Sequence, residues 1–216
     1  MKKEARLLKA RAVDSLLLAI EQFNRPWDRG RLESVLMLLD HSFEMLLKAG
    51  LIHKGACIRE RRAKQTLGFD ACVRKALSDS SVRFLTDEQA ITLQMINAQR
   101  DAAQHYLLEM SEEQLYMHTQ AGVTLFADVL KKLFGLRLQD FLPERVMPVS
   151  TRPPRDLATL MDDEVRTISA LIKPGSRKRV EARSRARSLA IMEGAVTGER
   201  VQPGKGELDK ILKKVG

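Results

Sequence analysis

The strongest constraint on the fold is an apolar stripe along residues 31–53, a stretch with no proline. Its members recur at intervals of three and four residues, which is the spacing of one face of an α-helix. They are Leu32, Val35, Leu36, Leu39, Phe43, Leu46, Leu47 and Gly50. A second apolar strip, Leu38, Met45 and Ile52, flanks His41. A helix that is apolar on more than one side is expected to pack against more than one neighbour, within a bundle or across a dimer.

The remaining patterns are also helical. Apolar residues at helical spacing predict helices over 4–24, 86–109 and 111–134, with a shorter one over 69–77. Thr86 with Gln89, and Ser111 with Gln114, form capping boxes, and Gly135 is a natural C-terminal cap. Aromatic residues are few at 5%, which favours helices over sheet. The sequence therefore predicts an all-α bundle of four long helices and a short one over residues 1–142.

A proline-rich segment follows the bundle. Residues 143–154 contain four prolines, which cannot continue a helix, and they predict a linker. Residues 155–216 predict a basic, partly helical extension, with helices over 156–172 and 207–215. Between them, Arg179, Arg183 and Arg187 share one helical face, and glycines from Gly194 onward loosen the stretch that follows. The last helix has no evident cap, so the chain is treated as a candidate fragment of a longer one.

Positive charge is concentrated in this extension. The net charge is +9; residues 1–150 hold 22 basic and 19 acidic side chains, and residues 151–216 hold 15 and 9. A basic extension fits a polyanion such as RNA, although a solubilising surface has the same composition. Candidate nucleic-acid contacts are Arg61, Arg62, Lys64, Arg177, Lys178, Arg179, Arg183 and Arg187. The first three belong to a basic run over 59–64 that a solvated loop would equally explain.

The candidate site lies on the helix that begins after Thr86. A polar strip that includes Asn97, Asp101, Gln104 and His105 separates two apolar arcs of this helix, and Arg100 falls inside one arc. A guanidinium there needs an anionic partner, a ligand or an opening to water. Asp40 or Glu44 could supply that partner within the bundle, so a purely structural role for Arg100 stays open.

The same residue types suit RNA cleavage. A histidine can move a proton near neutral pH, and an arginine can clamp phosphate oxygens. Asp101 lies four residues before His105 and could orient its imidazole. Arg100 and His105 are about 140° apart around the helix, so one helix does not easily direct both at one phosphate. Pairing of two copies of the chain would solve this, and a homodimer is therefore expected.

Two motifs resemble the HEPN superfamily of helical bundles. Arg100 and His105 fit its Arg-x4-His pattern, and Glu44, Lys48 and Ala49 fit a Glu-x3-Lys-Ala segment common in its helices. The resemblance covers roughly residues 5–137 and is strongest to an uncharacterised bacterial domain family. It implies a metal-independent endoribonuclease that leaves 2′,3′-cyclic phosphate ends, with Arg100, Asp101 and His105 catalytic and Asn97, Gln104 and Glu44 lining the site. It also implies a toxin or phage-defence role with an antitoxin partner. Non-catalytic nucleic-acid-binding or dimerisation modules share this fold, and that alternative stays open.

No cofactor or metal is expected. Cys57 and Cys72 lie outside any zinc-binding pattern and are expected to be free, buried thiols. The first residues show no apolar signal segment, and no apolar run approaches the ~18 residues of a membrane span. A cytoplasmic protein that does not enter the membrane is expected.

Overall fold

The computed structural model describes residues 1–59, 64–142, 157–173, 178–198 and 202–215. Within these ranges the chain is all-α, as predicted, and contains no β-strand. The helices are α1 (Lys3–Asn24), α2 (Arg31–His53), α3 (Phe69–Ser78), α4 (Asp87–His105), α5 (Glu112–Phe134), α6 (Leu157–Leu171), α7 (Arg179–Thr197) and α8 (Lys205–Val215). None of the helices in these ranges combines the length and the apolar character that a bilayer crossing requires.

Helix ends follow the local signals in the sequence. Both capping boxes form, since Thr86 and Ser111 accept from the backbone N–H of Gln89 and Gln114 and these glutamines bond back. Gly135 ends α5 in the left-handed conformation at φ +66°. The prediction that α4 continues to 109 is wrong, because the chain leaves the helix after His105. The extended link that follows carries Leu108 into a buried cluster with Leu115 of α5.

Helix α2 lies at the centre of the bundle and packs against α1, α3, α4 and α5. Two glycines allow the closest approaches. A Cβ on Gly50 would lie 2.6 Å from Leu133 Cδ1 of α5, and a Cβ on Gly122 would lie 3.0 Å from both Cδ atoms of Leu39. The predicted stripe is buried almost throughout, so α2 supplies a large part of the bundle core.

The C-terminal extension packs on the bundle through α7. Gln99 of α4 is fully buried and donates its Nε2 to the carbonyl of Ser188 on α7 at 3.2 Å. Ile191 of α7 enters the cluster formed by Ala102 and Leu115. Helices α6, α7 and α8 share a smaller cluster of their own. The predicted linker over 143–154 lies outside the described residues.

The cysteine prediction is half right. Both thiols are free, and Cys72 is buried, but Cys57 is exposed. Cys57 lies after the end of α2 in the segment that leads to residue 59, where no helix covers it.

Candidate functional site

Arg100 stands at the centre of a polar network between α2 and α4. Its Nε lies 3.0 Å from Asp40 Oδ2, and its Nη1 lies 2.9 Å from Asp101 Oδ1. The same Nη1 donates to Gln104 Oε1 at 3.2 Å. Asn97 donates its Nδ2 to the other carboxylate oxygen of Asp40 at 2.7 Å. Arg100 is therefore held by two carboxylates from two helices.

Asp40 is the buried anchor of this network. Its side chain is 5% exposed, whereas that of Arg100 is 23% exposed. Burial raises the pKa of Asp40 to about 6, against the opposing effects of the hydrogen bond from Asn97 and the charge of Arg100. Asp40 is therefore mostly ionised at neutral pH and becomes protonated just below it.

Sequence reasoning considered Asp40 only as a partner for Arg100 and did not include it among the site residues. Its sequence context offers little signal, since Asp40 shares a face of α2 with the acidic residues Glu33 and Glu44. Glu44, which was predicted to line the site, forms an ion pair with Lys48 on its own helix rather than with Arg100. The two residues are one turn apart on α2, and only the packing of α4 distinguishes them.

His105 is the last residue of α4 and is exposed. It forms no hydrogen bond or ion pair with any residue in the described ranges. Asp101, which was expected to orient His105, contacts Arg100 instead. The structure thus brings Arg100, Asp101, Gln104 and Asn97 into one network and leaves His105 outside it.

The basic residues predicted to contact nucleic acid differ in how exposed their side chains are. Lys64 and Lys178 are exposed, and the side chain of Arg179 is 69% exposed. Arg183 instead forms an ion pair with Asp209 of α8 at 2.6 Å. Arg61, Arg62 and Arg177 lie outside the described residues.

Arg187 is used inside the protein. The residue is 8% exposed, and its Cζ lies 3.9 Å from the ring centroid of Tyr106. It also donates to the carbonyl of Pro203 at 3.2 Å. The predicted basic face of 179, 183 and 187 therefore serves partly to dock α7 and α8.

The fold and the Arg100 network define an all-α protein with a polar site between two bundle helices. The chain belongs to the family described as Domain of unknown function (DUF3644), whose model matches residues 6–171. The prediction of an uncharacterised domain family is thereby confirmed. A second model, described as Domain of unknown function (DUF8611), matches residues 160–216. Neither a curated protein nor a solved structure matches the chain.

Proposed function

We propose that this protein is a metal-independent endoribonuclease of HEPN type. The observation that carries the proposal is the state of Arg100, which two carboxylates fix in place while 23% of its side chain stays exposed to solvent. His105 is exposed on the same helix, five residues further on. A fixed cation and an accessible imidazole are the two groups that phosphodiester transfer requires.

In the proposed reaction, neutral His105 accepts the proton of a ribose 2′-OH. The 2′-oxygen attacks the adjacent phosphorus, and the bond from phosphorus to the 5′-oxygen breaks. The leaving 5′-oxygen takes up a proton from water, and His105 then returns its proton to the hydroxide that remains. The products are a 2′,3′-cyclic phosphate and a 5′-OH end. Arg100 stabilises the charge that develops on the phosphate oxygens. Asp40 and Asp101 act as positioning residues through Arg100.

A homodimer is part of the proposal, because Arg100 faces α2 whereas His105 faces solvent. A two-fold axis beside the end of α4 would let Arg100 of one protomer and His105 of its partner address one phosphate. A cytoplasmic toxin or phage-defence role, with an antitoxin partner, rests on the HEPN resemblance alone.

The second candidate is a nucleic-acid-binding or dimerisation module without catalysis. One specific observation favours it: Asp40 and Asp101 already neutralise Arg100, as they would in a structural ion pair. In that case the exposed cations Lys64 and Arg179 would carry the RNA contacts.

A cleavage assay in EDTA separates the two functions. Wild type, His105→Ala and the control His53→Ala are incubated with a mixed single-stranded RNA; His53 is also exposed but lies at the end of α2, against Phe134. Cyclic phosphate ends from wild type and the control, and none from His105→Ala, support the nuclease. Equal cleavage by all three chains overturns it, and salt-sensitive binding without cleavage by any chain favours the second candidate.

The dimer is tested with mixed chains. Arg100→Ala and His105→Ala protomers, each inactive alone, are combined, and the heterodimer is verified by two affinity tags. Partial recovery of cleavage supports a site shared between protomers. Verified heterodimers that remain inactive argue against that arrangement.

A further inference from the structure

A cavity of about 170 Å³ lies between α4 and α7, directly beside the Arg100 network. We propose that it binds the nucleobase of an RNA nucleotide whose phosphate is held by Arg100. This inference rests on the proposed function, since it names the subsite that would select the nucleotide. It also gives the C-terminal extension a role, because α7 forms one wall of the cavity.

The polar lining favours a ligand that donates hydrogen bonds. The carboxylates of Asp70 and Asp101 and the amides of Gln94, Asn97 and Gln202 line the cavity, and its lining, all within the described residues, includes no Lys or Arg. Carboxylates accept hydrogen bonds only, so an anionic ligand is disfavoured. Nucleobases that carry an exocyclic amino group supply donors that match these acceptors.

Gln202 supplies an acceptor that lacks a partner. Its Nε2 donates to the carbonyl of Ala98 at 2.8 Å, which fixes the amide plane. Its Oε1 is buried and, among the described residues, has no hydrogen-bond partner. An unpaired buried oxygen is costly, and a bound ligand that donates to Oε1 after a small shift of the Gln202 side chain would remove that cost.

The size and the walls fit one ring system. Pockets for drug-sized ligands have volumes of about 300–1,000 Å³, so a cavity of about 170 Å³ suits a single heterocycle. Ile91 and Met95 of α4 and Ile191 of α7 supply apolar surface on its walls. Such surface can cover the face of a base while amides read its edge.

Two residues join the cavity to the Arg100 network. Asp101 lines the cavity and also contacts Arg100 at 2.9 Å. Asn97 lines the cavity and bonds Asp40, the other partner of Arg100. The acceptor-rich cavity and the cation are therefore adjacent, as the base and the phosphate are in a nucleotide.

The test measures binding of AMP, CMP, GMP and UMP to the full chain by isothermal titration calorimetry. At least one of the three amino-bearing nucleotides should bind about fivefold or more tighter than UMP, because a matched base edge contributes about 1–3 kcal/mol. Ala195→Leu places a larger side chain in the cavity wall and should abolish binding. The control Ala121→Leu, in the open groove between α4 and α5, should bind as wild type does.

A second variant guards against misfolding of Ala195→Leu. Gln202→Met keeps the side-chain length but removes the amide, so the preference over UMP should shrink while the helical circular dichroism is unchanged. No nucleotide binding by the wild type, equal affinity for all four nucleotides, or unaltered binding in Ala195→Leu would overturn the proposal.

Cleavage assays on the same chains separate the two proposals. Unaltered RNA cleavage and product pattern in Ala195→Leu would overturn the base subsite and leave the nuclease standing. Selective binding that Ala195→Leu abolishes, in a wild type that cleaves no RNA, would overturn the nuclease and keep the nucleotide cavity.

Discussion

The Nε of Arg100 on α4 lies 3.0 Å from Oδ2 of the buried Asp40 on α2. The contact is an ion pair rather than an aligned hydrogen bond, since no residue in the described ranges accepts a hydrogen bond from that Nε–H. It joins α2 to α4, and Asn97 of α4 donates to the other oxygen of the same carboxylate. The position of Arg100 therefore depends on a residue sixty positions earlier in the chain.

Asp40→Ala should lower the free energy of unfolding by about 1–3 kcal/mol, because Asn97 loses a buried hydrogen-bond acceptor and Arg100 loses an ion-pair partner. Urea denaturation at pH 7.5 measures the change. Asp14→Ala is the matched control, since Asp14 is exposed on α1. It should change stability by less than about 0.5 kcal/mol. Equal effects of the two substitutions would show that the Asp40 contacts contribute nothing.

His118 should make the protein less stable as pH falls. It is 1% exposed, both ring nitrogens lack partners among the described residues, and burial lowers its pKa from 6.5 to about 4. Between these values the unfolded chain binds a proton that the folded chain does not, so stability is complete above about pH 6.5 and decreases towards pH 4. Asp40 acts oppositely, because its raised pKa makes stability decline as pH rises from about 4 to about 6.

In the wild type, the pH-dependent contributions of His118 and Asp40 to stability offset each other. Replacement of His118 separates the two contributions. The stability of His118→Leu relative to wild type should increase by about 2 kcal/mol from pH 7.5 to pH 4.5. Urea denaturation at both pH values measures this. His118→Phe, which differs in size, should show the same pH-dependent change. A pH-independent difference in both variants would rule out a depressed histidine pKa.

Arg187 and Tyr106 should be energetically coupled. The guanidinium packs on the ring at 3.9 Å, and such contacts contribute about 0.5–2 kcal/mol. A double-mutant cycle with Arg187→Ala and Tyr106→Ala, followed by urea denaturation, measures the coupling. Arg166 is exposed and forms an ion pair with Asp163, and a control cycle of Arg166→Ala with Tyr106→Ala should show no coupling. Additive effects of Arg187→Ala and Tyr106→Ala would contradict the prediction.

RNA binding, if it occurs as proposed, should depend on the exposed cations and not on Arg187. Lys64→Gln and Arg179→Gln should each reduce the slope of log K against log salt concentration by about 0.7 for single-stranded RNA. Fluorescence anisotropy over a salt series measures the slope. Arg187→Gln should leave it unchanged in the folded protein, since that residue is buried. A larger effect of Arg187→Gln than of the other two would reverse the assignment.

Gly122→Ala should destabilise the bundle although alanine favours helices. The new methyl would lie 3.0 Å from both Cδ atoms of Leu39, so α5 and α2 must separate or Leu39 must move. Overpacking of this kind costs about 1–3 kcal/mol. Gly206→Ala in α8, where the added methyl meets open space, is the control and should be neutral or stabilising. Thermal unfolding of both variants measures the change in melting temperature. Equal changes in Gly122→Ala and Gly206→Ala would exclude a steric cause.

Local signals were enough to predict the bundle. The capping boxes at Thr86 and Ser111 and the stripe on α2 act between residues close in sequence, and the structure confirms them. The partners of Arg100 and the burial of Arg187 depend on contacts between distant segments. A basic residue has the same local pattern on a solvated face and against Tyr106, so sequence alone could not assign its role.

The two family segments overlap over residues 160–171, a stretch that lies wholly within α6. One helix is thus common to both segments. A hydrogen bond from Gln99 to the carbonyl of Ser188 also joins α4 of the first segment to α7 of the second. Replacement of Gln99 would leave the buried carbonyl of Ser188 without this hydrogen-bond donor, and displacement of Ser188 would leave Gln99 without its acceptor. We therefore expect substitutions in the two segments to be correlated during evolution. A chimaera of two relatives should be most stable when residues 99 and 188 come from the same parent.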